Sequence, residues 1–129
     1  MSFLLHIRDV AQTPPIEQIA CDDIAVTIGM ALVFSSGHAI EATGATKPTH
    51  ICMVAKTVAT DGDKVPAIRI SPDMIFKSAL SADSASIALG TKYTTAAGGL
   101  VTATATNGTF EITGFDGKLT GNAVYGRFS

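Results

Sequence analysis

The chain has no tryptophan, and its eight aromatic residues, six Phe and two Tyr, make up 6% of 129 positions. A sugar-binding site built on exposed aromatic faces has little to work with at that content. Charged residues reach only 16%, well under the usual quarter. The signs nearly cancel: nine Lys or Arg against eleven Asp or Glu give a net charge of −2. The basic footprint of a nucleic-acid binder is therefore missing. No apolar run approaches the roughly 18 residues of a membrane-spanning helix, so no membrane partner is expected. Residues Met1 to Val10 have no basic start, and Arg8-Asp9 interrupts their apolar run. That is not the pattern of a signal peptide, and a chain made and kept in a cytosol is expected. The two cysteines, Cys21 and Cys52, have apolar neighbours and no CxxC spacing. They read as small core-filling thiols.

Sequence patterns for chemistry are as sparse. His6, His38 and His50 are scattered, with no second histidine or carboxylate at metal-ligand spacing. Asp61-Gly62-Asp63 has the start of a calcium loop but lacks its later ligands and terminal Glu. Asp22 and Asp23 are adjacent, so on a strand they point to opposite faces and do not form an acid/base pair. Gly44-Ala45-Thr46-Lys47 and Gly90-Thr91-Lys92 put Lys near Gly without the spacing of a phosphate-wrapping loop. No Ser sits in a Gly-x-Ser-x-Gly elbow. A non-enzymatic protein without metal or cofactor is the expectation.

What the sequence does hold is 47% apolar residues, many Thr and twelve Gly. Apolar and β-branched runs alternate with turn residues. Ile16 to Ala20, Ile24 to Ile28, Met30 to Phe34 and Thr49 to Thr57 read as strands, and His38 to Thr43 as a weaker one. Ser35-Ser36-Gly37 reads as a turn, and Asp61-Gly62-Asp63, flanked by Val58 and Val65, as a hairpin turn. Pro66 marks a strand start, followed by the alternating Ala67 to Ile70. Ser71-Pro72-Asp73 would cap a helix, yet Met74 to Leu80 is short for one, and a strand is preferred. Thr102 to Thr106 alternates Thr and Ala, which predicts a strand with a thin apolar face. Asn107-Gly108 after it is a type I′ hairpin signal. Thr109 to Thr113 and Asn122 to Phe128 complete the series around a turn at Phe115 to Lys118. The turn spacing is that of an all-β fold, a small β-barrel or β-sandwich with little helix.

Residues 1–15 read as an extended N-terminal arm, and residues 16–129 as a single β-rich domain. Phe3, Leu5 and Ile7 alternate with Leu4, His6 and Arg8, and Pro14-Pro15 bars a helix. Such an arm either folds back as a first strand or adds a strand to a neighbour's sheet. Low charge and many small apolar residues suit a surface buried against other copies or another protein.

Four stretches together resemble the small β-rich structural proteins of tailed bacteriophages, in particular head decoration (capsid cement) proteins. They are Gly29-Met30-Ala31-Leu32-Val33 with Gly37 and Ala39 behind it; Pro48-Thr49-His50-Ile51-Cys52-Met53; Ile70-Ser71-Pro72-Asp73-Met74-Ile75-Phe76; and Leu89-Gly90-Thr91-Lys92-Tyr93-Thr94 leading to Gly108-Thr109-Phe110-Glu111-Ile112. The likeness runs from about Ile16 to Phe128 as a pattern of strands and turns. It implies a β-tulip-like domain on the outer capsid surface of a virion made in the host cytoplasm. It also implies a homo-oligomer, with a trimer favoured, that cements the major capsid protein against internal DNA pressure. Arms of such proteins commonly order on the capsid, so the resemblance puts capsid binding on Phe3, Leu4, Leu5, His6, Ile7 and Arg8. A tail or head-tail component and a carbohydrate-binding module are the alternative readings.

Overall fold

A computed structural model describes residues 3–8, 15–22, 24–58 and 60–129, with the backbone alone at 6–8. The strands of the first half are β1 (Leu4–Arg8), β2 (Ile16–Ala20), β3 (Ala25–Val26), β4 (Ala31–Ser35), β5 (His38–Glu41), β6 (His50–Cys52), β7 (Lys56–Thr57) and β8 (Lys64–Arg69). Those of the second half are β9 (Met74–Ala79), β10 (Lys92–Tyr93), β11 (Thr95–Ala96), β12 (Leu100–Val101), β13 (Phe110–Phe115) and β14 (Ala123–Phe128). The described residues hold no helix, and the protein is all-β.

Two five-stranded antiparallel sheets dominate, in the orders β1-β9-β14-β13-β10 and β2-β8-β6-β4-β5. Two-stranded pairs β3–β7 and β11–β12 accompany them. Ser71-Pro72-Asp73 carries the chain from one large sheet to the other. The N-terminal segment folds back as a strand: β1 pairs with β9, Leu4 opposite Lys77 and Leu5 opposite Phe76. Its register shifts between Leu5 and Ile7.

The second sheet is rolled. Cys21, just past β2, forms a parallel bridge with Ala39 in β5, and Asp22 N–H donates to Ala39 C=O at 3.0 Å. The two outer strands thus meet at one point. No ladder closes the roll, so among the described residues it falls short of a closed barrel.

Period-2 burial builds one core on each face of this rolled sheet. Ala31, Ile51 and Ile68 stand side by side across β4, β6 and β8 and face the first large sheet. There they join Met74, Phe76, Ile112, Val124 and an aromatic cluster of Phe3, Phe110 and Phe128. Leu32, Cys52, Val65 and Ala67 point the other way, into the roll, with Ile19, Cys21 and Met30. Gly126 belongs to the first core for a steric reason. A Cβ there would stand 2.2 Å from Glu111 C=O and 2.7 Å from the Phe110 ring.

Several local expectations need correction. The type I′ turn is Ser36-Gly37, with φ of 53° and 84°, joining β4 to β5. At Asn107-Gly108 only Asn107 has positive φ (56°), within a turn closed by Gly108 N–H to Ala105 C=O. Gly108 is instead needed because a Cβ would lie 2.2 Å from Lys92 C=O. Thr102 to Thr106 is not a strand. The Thr102 hydroxyl competes for the backbone: its Oγ1 accepts from Thr104 N–H at 3.1 Å and also meets Thr94 Oγ1 at 2.6 Å. The turn at Asp61-Gly62 exists but closes no hairpin, since β7 pairs with β3 while β8 pairs with β2 and β6. Pro66 is the third residue of β8 rather than its start. Its carbonyl accepts from Met53 N–H, so its missing donor faces the same side, beyond the end of β6.

Candidate functional site: an apolar groove beside the edge strand

Strand β1 is an outer strand of its sheet, and among the described residues its far edge pairs with no other strand. Phe3 anchors it. The ring is 1% exposed and packs on Phe110 and Phe128, and Phe3 N–H donates to Gly29 C=O at 3.0 Å. Leu4 and Leu5 remain at the surface, 43% and 36% exposed. Facing them are Ile16 at the start of β2, Ile28 in the turn before β4, and Met53 just after β6. The groove between them has a volume of about 220 Å³, with Ile51, Cys52 and Ile68 among its lining residues. No charged side chain lines it among the described residues. Eight large apolar side chains are exposed among those residues, and five of them, Leu4, Leu5, Ile16, Ile28 and Met53, converge here. Single exposed apolar residues are ordinary on a protein surface; a contiguous cluster marks an interaction site.

Of the residues expected to form the capsid-binding arm, Leu4 and Leu5 line this groove and Phe3 also touches it from the core side. His6, Ile7 and Arg8 continue β1 as backbone. Residues 1, 2 and 9–14 of the arm lie outside the described residues.

Two of the histidines that looked scattered, His38 and His50, have partners. His50 is 1% exposed on β6. Its Nε2 lies 3.3 Å from Glu17 Oε1 and its Nδ1 lies 2.9 Å from Thr49 Oγ1. Arg69 forks onto the same carboxylate with two bonds of 3.0 Å, and the edge-on Phe34 ring sits 5.5 Å from the imidazole. Hydrogen bonds from Arg69 first and His50 second hold the Glu17 carboxyl below the ordinary carboxylate range. With both ring nitrogens engaged and the ring buried, His50 links β6 to Glu17 of β2, which in turn holds Arg69 of β8, and it has no open face to offer a substrate.

The second grouping is Asp22, His38 and Asp61, whose ligand atoms lie within 4.8 Å of one another. Nothing in their spacing signals it, because they sit 16 and 23 residues apart and meet only where the sheet rolls up. Asp23, the other half of the adjacent acidic pair, lies outside the described residues. Cys21 and Cys52 are buried and free, bonded to the carbonyls of Ala39 and Val54. Burial pushes both thiols up. A further groove of about 330 Å³, lined by Lys47, Arg69, Ile70 and Phe128 among others, offers less. Its Arg69 is already spent on Glu17.

Comparison with family models, with curated proteins and with solved structures finds no match to this chain.

Proposed function

We propose that this chain is a non-enzymatic structural protein of a tailed-phage virion, one that binds the outer capsid surface and stabilises the head. The observation that carries the reading is the wholly apolar groove beside an edge strand whose far edge pairs with no strand among the described residues. Edge strands present free N–H and C=O groups to which a strand of another chain can add, and neighbouring apolar side chains supply specificity. In this reading the major capsid protein supplies that strand along β1, with Leu4 and Leu5 covered by it. Phe3 acts from inside as the anchor that holds β1 in place. The low charge of the chain and the four resembling stretches support the same reading.

Many copies on one particle add their affinities, so each contact can be small. A homotrimer fits local three-fold positions on a capsid. The decisive experiment is addition of the purified chain to expanded capsids and to unexpanded proheads, followed by sedimentation. Saturable binding to expanded capsids is expected, with a solution mass of three chains. A protein that stays monomeric and never co-sediments overturns the reading, and one that instead localises to a tail moves it to another part of the particle.

A further inference from the structure

We propose a divalent transition-metal site, with zinc as the best-fitting ion, formed by Asp22, His38 and Asp61 at the seam of the rolled sheet. This does not rest on the capsid reading. Three segments meet at the seam: the end of β2, the start of β5 and the turn before β8. Each contributes one ligand, and one ligand atom from each lies within 4.8 Å of the others. His38 Nδ1 is 3.8 Å from Asp22 Oδ1. The ring lies over Gly62, where a Cβ would be 3.6 Å from Nε2.

The backbone beneath the three side chains is fixed from several directions. Cys21 N–H donates to Asp63 C=O at 2.9 Å, and Gly62 N–H to Cys21 C=O at 2.9 Å. Asp22 N–H reaches Ala39 C=O at 3.0 Å, and Asp63 N–H reaches Thr60 C=O at 3.1 Å. The ligand-bearing segments are therefore held in place without the ion, and only side-chain rotation is needed. Zinc–ligand bonds of about 2.0–2.1 Å in a tetrahedron put ligand atoms roughly 3.3 Å apart. Asp22 and His38 are half-buried and Asp61 is exposed, so they have room to close by that amount.

The ligand types decide the ion. Two carboxylates carry the charge of a divalent cation, and the imidazole stays neutral as a nitrogen ligand. Carboxylates alone would suit calcium or magnesium; the imidazole favours zinc, cobalt or nickel. Three protein ligands leave a fourth position for water or for a ligand from a partner. Cys21 is the neighbour that competes as a softer ligand, but it is buried and its thiol already bonds Ala39 C=O.

An ion here spans the one point at which the outer strands of the roll touch. Binding to the folded chain alone raises stability by mass action. The test titrates the purified chain with Zn²⁺ in a calorimeter and follows its melting, with Ca²⁺ as the hard-ion control. One Zn²⁺ per chain is expected, and a melting rise of roughly 8 °C at a hundredfold excess over Kd. Ca²⁺ at the same concentration gives no comparable rise. His38→Gln and Asp61→Asn, both at exposed or half-exposed positions, are expected to keep the apo melting temperature and lose at least tenfold in affinity. Asp63→Asn, in the same turn but outside the ligand set, keeps the affinity. Co²⁺ gives a visible spectrum without thiolate-to-metal charge transfer. No Zn²⁺ binding, unchanged binding in both variants, or a thiolate charge-transfer band overturns the assignment.

Discussion

Replacing Phe3 by Ala separates an N-terminal segment that belongs to the core from one that only lies on the surface. Burying a phenyl ring contributes about 1.5–3 kcal/mol. Its tilted and edge-on contacts, with centroids 5.4 Å from Phe110 and 4.9 Å from Phe128, add about 0.5–1.5 kcal/mol each. A loss of about 4 kcal/mol is expected, inside the usual 3–5 for Phe→Ala. Phe3 sits beside the open groove, which lets the site collapse in part and holds the loss to the lower half of that range. For a domain of this length the loss lowers melting by roughly 10–15 °C. Leu4→Ala, next in sequence but 43% exposed, is expected to change stability by about 0.5 kcal/mol or less. Both are read by circular dichroism melts and urea titration at one pH. If Phe3→Ala melts within the error of the parent, the ring is not a core element and β1 does not hold its place on β9.

Other changes test other parts of the structure. Leu4→Asp with Leu5→Asp is expected to leave melting within a few degrees and to abolish co-sedimentation with expanded capsids; retained binding would take the groove out of the interface. Gly126→Ala is expected to cost about 3 kcal/mol, because its Cβ would meet the Glu111 backbone rather than a flexible side-chain end; unchanged melting would contradict that packing. Glu17 titrates below its ordinary value in the folded chain, so its contribution is present above the ordinary carboxylate range and is lost as pH falls through the depressed value. Glu17→Gln is therefore expected to flatten the acid side of a plot of melting temperature against pH, and an unaltered slope would remove the Glu17–Arg69–His50 cluster as its cause. Asp83, lowered by hydrogen bonds from the Thr120 N–H and hydroxyl, keeps its own share of that slope.

Strands with strong period-2 burial were legible from the residues. Met74, Phe76 and Ser78 are buried while Ile75 and Lys77 are half-buried, and that alternation outweighs the helix-capping look of Ser71-Pro72-Asp73. Ile16 to Ala20 is the expected strand, although its burial does not alternate in this way. Turn identity was legible only in part, because Asn107-Gly108 and Ser36-Gly37 carry similar local signals. What separates them is the company of the flanking strands. Phe34 and Ala39 pair across the second turn, whereas Thr102 to Thr106 has too little apolar surface to hold a ladder, and its Thr102 hydroxyl bonds the backbone instead. Leu4 and Leu5 were legible as candidate interaction residues. Ile16, Ile28 and Met53 were not, since they reach the groove from separate segments. Asp22, His38 and Asp61 are harder still: no local rule links residues that meet only when a sheet curls until its outer strands touch.

The low charge of the chain has two sources, and the structure separates them. A sheet with one face in water needs apolar residues at alternate positions. The rolled sheet has a core on each face, so consecutive residues must both be apolar: Ala31 goes one way and Leu32 the other, as do Ile51 and Cys52, or Ala67 and Ile68. That accounts for the unbroken run at Met30 to Val33, which resembles a strand of a parallel sheet although the ladders of β4 with β5 and β6, and of β6 with β8, are antiparallel. Folding does not account for Leu4, Leu5, Ile16, Ile28 and Met53, whose side chains remain in contact with solvent. Polar residues at those five positions would leave both cores intact, so stability alone does not explain their apolar character. Their convergence from four chain segments on one groove is explained if another chain covers them, and the Leu4→Asp with Leu5→Asp variant separates that cause from stability.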